Sequence, residues 1–182
     1  PDRKSGHARS RKGEPAMLRK LHHVAYRCRD AEQTRRFYVD GLGLKLAAAL
    51  VQEYVPSLQR NEPHNHVFFE MEDGSFIAFF DILEDEGPAA PPQDWAQHLA
   101  LEVDSHDTAE RIAGRLREMG TEVLGPVAHG ICDSWYFYDP NGHRLEMSVR
   151  TDSPAAWADL AAAAPAEMAK WNARKDRGSS AA

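Results

Sequence analysis

The chain has 182 residues, a net charge of −6, and 42% hydrophobic against 27% charged side chains. Those values fit a soluble globular protein and exclude the clustered Lys and Arg of a nucleic-acid groove. No apolar run approaches the ~18 residues that would cross a bilayer. The two cysteines, Cys28 and Cys132, have neither CxxC nor disulfide-framework spacing, which points to the reducing cytoplasm.

In chain order, residues 1–17 are basic and polar with no apolar stretch behind them, and they predict a disordered tail. His23 to Arg27 opens a strand. A helix capped by Asp30 then runs through Phe37 and stops near Gly41. Further on, Glu70 to Ala78 reads as a hairpin about Asp73-Gly74, a dipeptide that accepts positive φ cheaply. Residues 84–94 hold Pro88, Pro91 and Pro92 and form a linker.

The second half repeats the order of the first. His98-Leu99-Ala100-Leu101-Glu102 matches His23-Val24-Ala25-Tyr26-Arg27 in its sequence of His, apolar, Ala, apolar, charged. A helix follows, capped by Asp104 or Ser105, with Ala109, Ile112, Ala113, Leu116 and Met119 at helical spacing and Gly120 as its stop. A hairpin about Asn141-Gly142 closes the half at Glu146. The economical reading is α+β, with two β-α-β-β-β modules at about 20–83 and 95–150 inside a domain spanning 18–150. Residues 151–182 form a helical extension that packs back through Trp157, Leu160, Met168 and Trp171.

Strand parity assigns faces. Leu99, Leu101 and Val103 oppose His98, Ala100 and Glu102; Leu145, Met147 and Val149 oppose Arg144, Glu146 and Ser148; and Val24, Tyr26 and Cys28 oppose His23, Ala25 and Arg27. The apolar face must pack on the helices, so the other lines something wet or functional. His23, His98 and Glu146 all fall on that second face. Two imidazoles and a carboxylate would form a facial triad if they converged.

These motifs resemble the glyoxalase, bleomycin-resistance and extradiol-dioxygenase superfamily, also called the vicinal-oxygen-chelate superfamily. The matching pieces are His23-Val24-Ala25 with Phe37-Tyr38 and Gly41-Leu42-Gly43-Leu44, then His98 to Asp104, then Tyr136 to Glu146. The resemblance implies a cup in which the modules form one curved, eight-stranded mixed sheet around a divalent metal. It implies His23, His98 and Glu146 as metal ligands, with His23 preferred over His22. It also implies a homodimer, since many relatives dimerise, some by swapping halves.

Superposing the hairpins on Gly74 and Gly142 sets Ala78 in the place of Glu146. Alanine cannot supply the fourth ligand that glyoxalase I and methylmalonyl-CoA epimerase use, which leaves three ligands, as in extradiol dioxygenases and fosfomycin thiol transferases. Tyr136, ten residues before Glu146, and His129 in a His-Gly loop resemble the acid-base pair of extradiol enzymes. Phe76, Phe80 and Tyr138, with Ala78 between the two phenylalanines, suit an aromatic substrate. The expected function is therefore a non-haem Fe(II) extradiol-type dioxygenase, with Mn, Ni or Zn as other candidate metals. The alternative is a lyase, isomerase or thiol transferase of glyoxalase type using the metal as a Lewis acid. A metal-free binding protein is a third class, which the three candidate ligands count against. Expected partners are a small-molecule substrate and a second copy of the chain, with no nucleic acid and no membrane. His7, His64, His66 and His106 are expected at the surface, and His143 in its turn serves the loop or solvent.

Overall fold

The structure, a computed structural model, describes residues 20–83, 89–90 and 96–179. The expected tail and most of the expected linker lie outside the described residues. Eight strands form: β1 (His23–Cys28), β2 (Lys45–Val55), β3 (Arg60–Glu70), β4 (Phe76–Ile82), β5 (Leu99–Val103), β6 (Val123–Ala128), β7 (Cys132–Tyr138) and β8 (Arg144–Arg150). Helix α1 (Ala31–Arg35) continues into a π-helical turn over Arg36–Gly41; α2 (His106–Glu118) and α3 (Pro154–Ser179) complete the set.

The caps follow from side-chain chemistry. Asp30 accepts from the Gln33 amide at 2.7 Å, and Ser105, rather than Asp104, accepts from the Thr108 amide at 3.2 Å. Gly74 and Gly142 take φ of +74° and +92° at equivalent points of their turns, where a Cβ would be strained.

The repeat read from the sequence is a repeat of topology. The strands divide between two four-stranded mixed sheets, ordered β1-β4-β3-β2 and β5-β8-β7-β6. In each, the first strand runs parallel to the last and the other pairs are antiparallel. The two registers superpose: Ala25 pairs with Ala78 as Ala100 pairs with Glu146.

One core serves both sheets. Phe37, Tyr38, Phe69 and Phe79 from the first module join Leu116, Trp135, Phe137 and Leu145 from the second. A buried polar seam ties the modules together beside it. The Tyr38 hydroxyl donates to Asp139 Oδ2 at 3.2 Å, Asn141 Nδ2 donates to Thr34 Oγ1 at 3.1 Å, and the Arg29 amide donates to Asn141 Oδ1 at 3.0 Å. His143 contributes too: it stacks on Tyr26 with ring centroids 4.4 Å apart, and its Nε2 lies 3.0 Å from the Arg27 carbonyl. It does not serve the solvent, being 7% exposed.

Helix α3 corrects one expectation. Trp157, Leu160 and Met168 are exposed rather than packed back, and the Trp171 side chain is outside the described set. The helix is largely alanine between its few large apolar residues, so docking would bury little area. Among the described residues no helix is long and apolar enough to cross a membrane.

Candidate functional site

Burial alternates along β1 and β5 as parity requires. Val24, Tyr26 and Cys28 turn toward the core, while His23, Ala25 and Arg27 are exposed; Ala100 and Glu102 are exposed between Leu99, Leu101 and Val103. His98 stands immediately before β5 and is also exposed. Glu146 lies beside it on β8, buried at 6% exposure.

The second module builds a defined polar centre around that carboxylate. His98 Nε2 is 2.9 Å from Glu146 Oε2. Ser134 and Ser148 each donate a hydroxyl to Oε1 at 2.6 Å. Burial pushes the Glu146 carboxyl up, but the hydroxyls of Ser134 and Ser148, the nearby His98 and the Tyr136 hydroxyl outweigh it, leaving its pKa below the usual carboxylate range. A buttressed, ionised carboxylate beside an imidazole nitrogen has the donor chemistry of half a divalent-metal site.

Tyr136 pairs with Glu146 in register, and its hydroxyl lies 2.8 Å from His129 Nε2. The expected acid-base pair is thus brought together next to Glu146. Burial, more than the neighbouring Glu146 charge, raises the Tyr136 pKa. The Arg144 guanidinium sits 4.5 Å from the centre of the Tyr136 ring. Tyr138 follows at the exposed end of β7, paired with Arg144.

His23 is not brought to this centre within one chain. It lies on the other sheet, its Nδ1 2.8 Å from Nδ1 of His22, with its ring steeply inclined to those of Phe68 and His66. Among the described residues no three His, Cys, Asp or Glu side chains stand close enough to hold a metal. The reason lies in the shared core: both sheets turn their apolar faces inward to it, so their histidine faces point away.

On the His23 face, Ala78 is fully buried rather than open, with Ala25 and Phe68 across the strands and Phe76 and Phe80 along its own. Phe80 stacks on His66, with centroids 3.7 Å apart and planes at 18°. His64 and His66 are therefore not the surface residues expected. His64 is 8% exposed and His66 is half-buried among aromatic rings. Parity along β3 places both on this face, a signal readable once that strand's register is known. His106 is exposed, as expected, and lies 2.7 Å from Asp133.

Two β-α-β-β-β modules with superposable registers have a counterpart among known proteins. A model of the Glyoxalase/Bleomycin resistance protein/Dioxygenase superfamily matches residues 20–147. The chain belongs to this superfamily. No curated protein matches it. Among solved structures, a glyoxalase/dioxygenase from Nostoc punctiforme is 26% identical with a TM-score of 0.55, over 81% of this chain and all of that one. FosX, a fosfomycin resistance protein from Listeria monocytogenes, seen as a mutant complexed with Mn(II) and a dihydroxypropylphosphonic acid, is 17% identical. Its TM-score is 0.56, over 78% of this chain and 99% of that one. TnmS3, an antibiotic-binding protein from Streptomyces sp., is 20% identical with a TM-score of 0.54, over 75% and 100%. A protein seen with Mn(II) and an antibiotic-binding protein thus share this fold.

Proposed function

We propose that this chain is a metal-dependent dioxygenase of extradiol type, opening a catechol-like ring at an Fe(II) centre that two copies complete. His98 and Glu146 of one copy and His23 of the other would hold the ion as a two-histidine, one-carboxylate face, the ligand set of non-haem Fe(II) oxygenases. The observation that carries this reading is the Glu146 centre: a buried carboxylate held by two serine hydroxyls, facing His98, with the Tyr136–His129 pair at its side. The β5 strand lies at the edge of its sheet, beside an open groove of about 670 Å³ that reaches the Met71–Asp73 turn.

When bound, the ion supplies Lewis acidity toward two adjacent substrate oxygens and a site where O₂ can react. The protein's part is positional and protonic. Glu146 stays ionised through its serine hydrogen bonds. Tyr136 and His129, 2.8 Å apart, would take a proton from a substrate hydroxyl and return it to the opening ring. Both atoms of O₂ enter the product, so no outside reductant is needed.

The alternative is Lewis-acid chemistry without O₂, favoured by the fold likeness to a Mn(II)-binding FosX. Protein purified without oxygen, analysed for metal and screened against catechols for yellow ring-opened products separates the two. Iron with ring opening supports the dioxygenase; metal without any oxygen uptake on catechols overturns it. The shared centre is tested by mixing His23→Ala with Glu146→Ala chains after unfolding and refolding. Random pairing restores about a quarter of the Mn(II) sites if the ligands come from two copies, and none if they come from one.

A further inference from the structure

Beneath the long β2–β3 hairpin, on the His23 face, lies a cavity of about 370 Å³, within the usual range of small-molecule sites. Val55, Leu58, Phe80 and Ile82 give it apolar walls, and His64, His66 and Arg60 also line it. Arg60 is held by Glu62 at 2.6 Å, and His64 Nδ1 lies 2.7 Å from the Glu62 carbonyl, so both carry polar contacts of their own. His66 differs. Its Nε2 is buried and, among the described residues, has no hydrogen-bond partner.

A buried ring nitrogen without a partner is costly, and such a group calls for a functional or structural explanation. The His66 ring lies between two surroundings. It stacks on Phe80 inside the cavity, and its centroid is 6.3 Å from that of His23. A half-turn about χ2 exchanges Nε2 with Cε1 in the same ring plane, so a nitrogen can meet a ligand without leaving Phe80. A flat, stacked pair in an apolar cavity selects a planar ligand.

We propose that this cavity is the recognition subsite of the centre, taking the planar body of an aromatic substrate, and that His66 makes its directed polar contact to a ring hydroxyl. The proposal rests on the reading of the centre given above, but cavity binding needs no metal. His66 here is a specificity residue; His23 is the nearby metal-ligand candidate.

The test uses metal-stripped full-length protein and two probes that differ by one hydroxyl, 2-naphthol and naphthalene, titrated by fluorescence. Wild type should bind 2-naphthol about tenfold more tightly than naphthalene, the worth of one satisfied hydrogen bond. His66→Phe keeps a flat ring on Phe80 and should erase that preference while leaving naphthalene binding unchanged. Leu58→Trp, at an exposed position of the cavity wall, should weaken both probes alike. Equal binding of the probes by wild type, a preference that survives in His66→Phe, or indifference to Leu58→Trp would each overturn the proposal. Circular dichroism checks each variant's fold, and the wild-type comparison stands if a variant does not fold. Failure of the wild-type protein to bind Mn(II), with an intact naphthol preference, would sink the metal reading alone.

Discussion

His98 Nε2 lies 2.9 Å from Glu146 Oε2, and this pairing has no counterpart among the described residues of the first module. The register that sets Glu146 against Ala100 sets Ala78 against Ala25, so the first module offers a histidine without a carboxylate. In the proposed centre, this asymmetry would make the second module the anchor of the metal and leave the first to supply His23 and the aromatic face.

Removing a serine from Glu146 should weaken metal binding without unfolding the protein. Ser134→Ala and Ser148→Ala each delete a 2.6 Å donor, which should raise the carboxyl pKa and lower Mn(II) affinity by about 10- to 100-fold. Electron paramagnetic resonance titration of free Mn(II) reads the affinity. Unchanged affinity in both variants would mean that Glu146 is not a ligand.

Tyr136→Phe should lower turnover by about 100-fold or more while leaving metal content intact, because it removes the hydroxyl shared with His129 but no ligand. Loss of metal together with turnover would assign Tyr136 to the architecture of the centre instead of to proton transfer.

Ala78→Glu should destabilise the protein rather than close a coordination site. Ala78 is fully buried, so the new carboxylate must enter an aromatic layer or displace it. A cost of about 2 kcal/mol would lower the melting temperature by roughly 4–8 °C in a chain of this size. An unchanged melting temperature with tighter Mn(II) binding would show that the position opens toward the metal.

Stability should fall in alkali. Burial pushes the Cys28 thiol up to about 11 from an ordinary value of 9.0. A group whose folded pKa is raised contributes its full stability below the unfolded value and loses it as pH rises through the folded one. The window is therefore pH 9 to 11, with a loss on the order of 2 kcal/mol across it. Tyr38, buried and facing Asp139, is raised well above 10.0 and acts in the same direction at higher pH. Urea unfolding at stepped pH should show the decline, and Cys28→Ala should flatten it.

Much of this protein was legible along the chain. Strand parity is a local property with period two, so the inward set Val24, Tyr26, Cys28 and the outward set His23, Ala25, Arg27 could be separated without a fold. The repeat of His, apolar, Ala, apolar, charged exposed the two modules, and Asp-Gly and Asn-Gly located both turns. Even the equivalence of Ala78 and Glu146 follows from counting back to Gly74 and Gly142. Tertiary structure decided what no local period carries: where each outward face points once both sheets share a core. Because Phe37 packs against Phe137 and the Tyr38 hydroxyl donates to Asp139 across the modules, the apolar faces meet and the histidine faces part. It also decided the burial of His64, His66 and His143, whose neighbours come from strands or modules distant in sequence. Likeness of face is set by residues two apart; convergence is set by contacts a hundred residues apart, and only packing supplies those.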